Sequence, residues 1–142
     1  MPDIVIVEPG HPLAQQALHL VQNEAMLSWV ILFGGDRWHC VEHVAVAMQD
    51  NEPVGMATLS PHDEMSAGGP HVIGIWVHPE YRRQGIATEM LKILVEESQR
   101  RYGTVPTVVP VTRVGLHLIE SALRQGIALE RKGGMVSSLV LP

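Results

Sequence analysis

Two arginines, a glutamine, a glycine and a small residue stand together in the run Arg82-Arg83-Gln84-Gly85-Ile86-Ala87. Glycine accepts the left-handed backbone that a tight turn into a helix demands, and a helix start leaves its first N–H groups without acceptors. Clustered N–H groups, a helix dipole worth typically about 0.3–1 kcal/mol and two flanking cations make such a run an anion cradle suited to phosphate. It is neither of two familiar nucleotide loops. No Gly-Lys-Ser/Thr follows, and Arg82 stands where a dinucleotide fingerprint has its first glycine. In His39-Cys40-Val41-Glu42-His43 the two histidines share a face only in a helix. The pattern there enters a strand, where i and i+4 side chains lie about 13 Å apart, so no metal is expected. Cys40, the only cysteine, reads as a small buried hydrophobe and cannot close an intrachain disulfide.

The cradle needs a strand before it and a helix after it, and the sequence supplies both. Residues 71–77 (HVIGIWV) are almost continuously apolar, as in a strand covered on both faces, and His78-Pro79 ends it because a residue before proline stays extended. Residues 86–101 form the clearest helix, with Ile86, Met90, Ile93 and Leu94 inward. Lys92/Glu96, Glu96/Arg100 and Glu97/Arg101 sit at i,i+4 spacing on the face assigned to solvent, each pair adding on the order of 0.3 kcal/mol. Upstream, residues 3–8 alternate as a strand and 13–27 follow with helical spacing; 27–33 form a short second helix. Residues 42–48 and 54–59 make a hairpin around Asp50-Asn51-Glu52-Pro53, and 60–70 form a loop. Downstream, 104–111 read as a strand in which Pro106 and Pro110 each remove a ladder donor, so part of its length goes unpaired and the sheet parts there. Thr112 caps a helix through residue 125 with Gly126 as its stop, and a hairpin of 127–129 and 136–141 turns around Arg131-Lys132-Gly133-Gly134.

These elements form a single domain over residues 1–142, since that length supports one self-sufficient core. With 46 % apolar and 18 % charged residues the composition is globular, which excludes global disorder. The uncharged apolar run at residues 25–33 is about half a bilayer span, and Met1-Pro2-Asp3 carries an acid where a secretory signal carries a base. The expected setting is cytoplasmic. A formal charge of −5 argues against a general nucleic-acid binder. The charge is lopsided: residues 1–71 hold nine acids and one base, Arg37, whereas 72–142 hold six acids and nine bases. One half suits a cationic ligand and the other an anionic one; solvated surface of both signs is the plainer alternative.

The stretch Val77-His78-Pro79-Glu80-Tyr81-Arg82-Arg83-Gln84-Gly85-Ile86-Ala87-Thr88 resembles the acetyl-CoA signature of the GNAT N-acyltransferase superfamily, with its (Gln/Arg)-x-x-Gly-x-(Gly/Ala) core. The preceding hairpin, through Pro53-Val54-Gly55-Met56-Ala57, shares the likeness. The resemblance implies an α+β sandwich (α/β/α): a mixed, mostly antiparallel sheet flanked by helices, in which the strand ending at Val77 and the one ending near Val111 splay to admit pantetheine. Gly74 fits as a bulge or a close backbone approach, or as a packing glycine. By the same likeness, the backbone of Trp76 and Val77 contacts pantetheine and thioester and helps stabilise the oxyanion, while Arg82, Arg83, Gln84, Gly85, Ile86, Ala87 and Thr88 hold the pyrophosphate. The implied activity is acetyl transfer from acetyl-CoA to a primary amine by direct attack in a ternary complex. The acidic N-terminal half suggests a cationic acceptor such as a polyamine, an amine antibiotic or a lysine side chain. A homodimer through sheet edges or C-terminal strands also fits, with neither nucleic acid nor membrane as partner.

The likeness fails at the last helix. Where many members carry a tyrosine that protonates the departing thiolate, this chain has Ala122 or, by another alignment, Ile119; the helix-start asparagine is missing too. The loss is modest, since a thiol titrating near 8.5 leaves unprotonated at pH 7 for roughly 2 kcal/mol, whereas an alkylammonium near 10.4 needs roughly 4.6 kcal/mol to lose its proton. The base matters more. His71 is the choice, because it begins the central strand where relatives often carry a carboxylate, and imidazole suits neutral pH. A structural histidine is the rival reading for it, and Glu42, His43, His62, Asp63, Glu64 and His117 are competitors. Trp29, Trp38 and Trp76 wall an acceptor pocket or simply pack the core. The alternative function is a non-catalytic acyl-CoA sensor or interaction module.

Overall fold

The computed structural model describes residues 2–20, 42–61, 69–108, 113–127 and 130–131. The expected short helix at 27–33, the returning strand at 136–141 and the side chains of Trp29, Trp38, Cys40, His62, Asp63 and Glu64 lie outside the described residues.

Alternation of apolar and polar residues selects strands, and four run antiparallel in succession: β1 (Asp3–Val7), β2 (His43–Gln49), β3 (Glu52–Ser60) and β4 (His71–Val77). The β2–β3 turn is made by Asp50 and Asn51, both at positive φ (52° and 66°), the type I′ chemistry that matches strand twist. Among the described residues two short strands extend the sheet, β5 (Thr107–Val108) parallel to β4 and β6 (Glu130–Arg131) parallel to β5. The result is a mixed, mostly antiparallel sheet flanked by helices.

Side chains alternate between two cores. On one face Val44, Val46, Met56 and Trp76 pack with Ala14 and Ala17 of α1 (Pro12–Leu20). On the other, Ala45, Ala47, Ala57, Leu59, Val72 and Val77 meet Ile86, Met90, Leu91, Leu94 and Val95 of α2 (Ile86–Tyr102) and Ile119 and Ala122 of α3 (Arg113–Arg124). Small residues let α2 sit close. A Cβ on Gly55 would stand 3.0 Å from the Trp76 carbonyl oxygen and 3.1 Å from Met90 Cε.

Helix ends follow the glycines. Gly103 (φ 72°) closes α2, its N–H donating to the Gln99 carbonyl at 3.0 Å. Gly126 (φ 82°) stops α3, and the Ile127 N–H folds back on the Ala122 carbonyl at 3.0 Å. That bond corrects the start of the expected strand at 127–129: Ile127 is spent on the helix stop, and Arg131 lies in β6 rather than in a turn. The expected strand at 104–111 likewise starts later. Pro106 has no N–H, so the ladder opens at Thr107, whose N–H donates to the Pro70 carbonyl at 2.9 Å.

Glu97 also departs from expectation. It is 6 % exposed, and its carboxylate accepts hydrogen bonds from Arg101 Nε (3.1 Å) and from Arg100, which reaches both oxygens. Burial pushes this carboxyl up, but the bonds from Arg101 and Arg100 outweigh it and hold the group below the ordinary glutamate range. The end of α2 meets the start of β2 through the Tyr102–His43 contact, and Glu97 is buried there while Glu96, Arg100 and Arg101 stay exposed.

Candidate active site

The C-terminal end of β4 is where the sheet offers free backbone. The His78 N–H donates to the Val54 carbonyl at 2.8 Å and Val77 stands opposite Gly55, so the antiparallel ladder turns the N–H and C=O of Val77 away from β3. The backbone groups of Trp76, opposite Met56, therefore face β3. On the far side, the described β4–β5 pairing is His71 with Thr107 and Val72 with Val108. Among the described residues none pairs with Val77 on that side. Between the two levels β4 carries an extra residue: Ala57 pairs with Ile75 and Leu59 with Val72, placing a bulge at residues 73–74 opposite Thr58. Gly74 donates its N–H to Thr58 Oγ1 at 3.3 Å, so the bulge and the glycine coincide.

Beyond Val77 the chain turns sharply. His78 caps a short 3₁₀ turn (Pro79–Tyr81) by accepting the Glu80 N–H on Nδ1 at 3.2 Å, which puts the proton of the neutral ring on Nε2. Its ring sits edge-on to Trp76 (centroids 6.0 Å apart) and Tyr81 (5.9 Å). The sequence marked His78 only as a strand end; its role as cap and aromatic link follows from the Pro79 that fixes the turn behind it. Arg83 then adopts φ 65° and Gly85 φ 83°, the second at the N-cap of α2 with no side-chain cap. Among the described residues no acceptor meets the amide N–H groups of residues 83–88. They lie in the last turn before α2 and in its first turn, at the positive end of the helix dipole. Arg82, Arg83, Gln84 and Gly85 are exposed, Ala87 and Thr88 are half-buried, and Ile86 is buried, so only its amide is available to a ligand. From Thr88 a cavity of about 320 Å³ continues along α2 past Lys92 and Gln99 to the α3 stop at Gly126.

The candidate bases are scattered. His71, 8 % exposed, begins β4 and is paired with Ser60 on one side and Thr107 on the other. Six residues of strand separate it from Val77, roughly 20 Å at 3.3 Å per residue. His43 is bound to the Tyr102 hydroxyl at 2.9 Å, and that hydroxyl donates to Glu42 Oε2 at 3.2 Å, at the opposite end of α2 from the cradle. Burial, then the Arg101 charge, lowers the His43 pKa, and burial and Glu42 push the Tyr102 phenol up to about 12. His117 is exposed on α3. At the two positions that align with the family tyrosine, Ala122 and Ile119 are buried in the core. Trp76 is 4 % exposed against α1, and among the described residues its Nε1 meets no hydrogen-bond partner. Among the described residues no three His, Cys, Asp or Glu converge as metal ligands, and no helix is long and apolar enough to cross a membrane.

Residues 14–127 match the acetyltransferase (GNAT) family. A search of curated sequences finds no significant match. Solved structures resemble the chain along most of its length. A ribosomal-protein-alanine N-acetyltransferase from Brucella melitensis biovar Abortus 2308 aligns with TM-score 0.61 at 19 % identity, over 93 % of this chain and 94 % of that one. An aminoglycoside acetyltransferase from an uncultured soil metagenomic sample gives 0.62 at 18 % identity, over 92 % and 93 %. Aminoglycoside N-acetyltransferase AAC(6')-Iy in complex with CoA gives 0.54 at 21 % identity, over 90 % and 91 %. At these identities the likeness speaks for the fold. With a family match spanning most of the chain and an amide-lined cradle after an open strand end, the chain belongs to the GNAT acetyltransferase family.

Proposed function

We propose that the protein transfers an acetyl group from acetyl-CoA to a primary amine, with residues 82–88 as the pyrophosphate cradle. The observation that carries this reading is the set of acceptor-less amides at 83–88, directly after a β4 end whose Val77 N–H points away from the ladder. Acetyl-CoA supplies an activated thioester when bound. The chain contributes position and fixed dipoles: the Gly85 turn aims the amides of Ile86, Ala87 and Thr88 outward, Arg83 adds positive potential, and the open edge at Val77 offers a donor to an amide carbonyl. Trp76 borders the same level from the α1 face. His71, the base expected from the sequence, stands roughly 20 Å along β4 from Val77, beyond the reach of one bridging water, so in this reading the amine attacks after losing its proton to solvent. The acceptor is a cationic amine, drawn to the acidic N-terminal half. Two of the structural neighbours named above are aminoglycoside acetyltransferases and one acts on ribosomal-protein alanine, in keeping with an amine acceptor.

The test is calorimetric titration with acetyl-CoA together with free-thiol release across a panel of amines. Binding to wild type and its loss in Gly85→Glu, which sets a carboxylate and bulk against the cradle, are the expected results. Wild type that fails to bind acetyl-CoA, or binds it equally well as Gly85→Glu, refutes the assignment. A second reading, coenzyme binding without turnover, is favoured by the buried Ala122 and Ile119 where relatives carry a phenol; binding with no amine raising thiol release above hydrolysis would select it.

A further inference from the structure

The side chain of Arg82 is engaged with the backbone of β4. Its Nε–H donates to the Val77 carbonyl at 2.7 Å in a partly shielded contact. The β3–β4 register turns this carbonyl away from β3, and among the described residues no backbone N–H reaches it. The residue that follows, Arg83, holds φ 65°, a conformation that costs a non-glycine residue about 1–2 kcal/mol and persists only where its surroundings enforce it. On one side of Arg83 the turn is tied to β4 by Arg82; on the other it enters α2 at Gly85.

We propose that Arg82 is a positioning residue for the coenzyme: its Nε–H closes the Val77 carbonyl, so that the end of β4 presents a donor alone, and it fixes the loop whose amides receive the pyrophosphate. It does this as a hydrogen-bond donor to the backbone rather than as a counter-charge to phosphate. The proposal rests on residues 82–88 being the coenzyme loop. The signature pattern takes Gln or Arg at this place, and these two side chains carry a nitrogen-borne hydrogen at the same number of bonds from Cα.

That chemistry gives a swap test on acetyl-CoA affinity by calorimetry. Arg82→Gln keeps the donor and drops the charge. Arg82→Lys keeps the charge and puts a methylene where Nε–H stands, and Arg82→Met drops both. Thermal unfolding of each variant checks that the fold is kept. Arg82→Gln is expected to bind within about threefold of wild type, and Arg82→Lys and Arg82→Met about tenfold more weakly. The opposite order, Lys like wild type and Gln as weak as Met, makes Arg82 a counter-charge and overturns the proposal; so do three variants that all bind like wild type. If wild type binds no acetyl-CoA, the functional assignment fails separately, and the contact is read in the ligand-free protein. Amide exchange at His78 and Tyr81, whose N–H groups are bonded to Val54 and His78, then accelerates in Lys and Met but not in Gln. Equal exchange in all three refutes it.

Discussion

Replacing Gly85 by alanine tests the cradle with a single methyl group. Gly85 holds φ 83° and ψ 7° and is exposed, so a Cβ there costs backbone strain. Left-handed geometry costs an L-residue about 1–2 kcal/mol. The strain can be met in two ways. If the loop keeps its shape, the folded state loses that energy; with an unfolding entropy of about 2.1 cal/mol/K per residue, 142 residues give roughly 0.3 kcal/mol/K and a melting temperature lower by about 3–7 °C. If the free loop relaxes to negative φ, the melt hardly moves, but acetyl-CoA must restore the turn and its Kd rises about 5- to 30-fold. Loss of stability plus loss of binding energy should therefore total about 1–2 kcal/mol, measured by thermal unfolding without ligand and calorimetry with it. Gly85→Asn, whose side chain tolerates this region better, should show less than half that total. A Gly85→Ala protein that melts and binds like wild type would show that neither folding nor ligand needs the left-handed turn.

Glu97→Gln should cost about 1–2 kcal/mol in urea unfolding at pH 7, discounted because Arg100 and Arg101 are largely exposed. Since the folded carboxyl titrates below the ordinary value of 4.5, its contribution is present above that pH and disappears as pH falls through the folded value; Glu97→Gln should lack this acid-side loss. His43 acts over a different window. Its folded pKa lies below 6.5, so the unfolded chain protonates first and stability falls as pH drops from about 6.5 toward the folded value, a slope that His43→Gln should abolish in pH-dependent melts. Tyr102→Phe, which removes the hydroxyl shared by His43 and Glu42, should destabilise by about 1 kcal/mol in the same assay. Gly55→Ala should cost about 1–3 kcal/mol by unfolding, because the new methyl meets a backbone oxygen at 3.0 Å that cannot move aside as freely as the Met90 methyl.

Where a local rule decides the structure, the residues announce it. Asp50-Asn51, Gly103 and Gly126 adopt the positive φ that their types favour, and Gly74 falls in the bulge of β4. The apolar run at 71–77 is a strand with neighbours on both sides, and 86–102 is the long helix behind the cradle. What stays hidden depends on packing between distant segments. The i,i+4 spacing of Glu97 and Arg101 is the same whether Glu97 is solvated or buried, so burial of Glu97 could not be read from the helix alone. His78 shows only as a residue before proline; that its Nδ1 is used by Glu80 and its ring by Trp76 and Tyr81 depends on the turn geometry. The late start of β5 is legible in part: Pro106 removes a donor, but that the ladder opens on the Pro70 carbonyl depends on the loop before β4. The rival bases His71 and His43 are alike on paper, and the fold separates them, to β4 beside β5 and to the far end of α2.

The end of β4 has a consequence outside the reaction. Among the described residues the Val77 N–H has no ladder partner, and a strand end of that kind is a template on which an extended segment of suitable shape can dock, including one from another molecule. Arg82 already blocks the acceptor there. Concentrated protein stored without coenzyme should therefore self-associate through this seam more readily than protein saturated with it, a difference light scattering can follow over days.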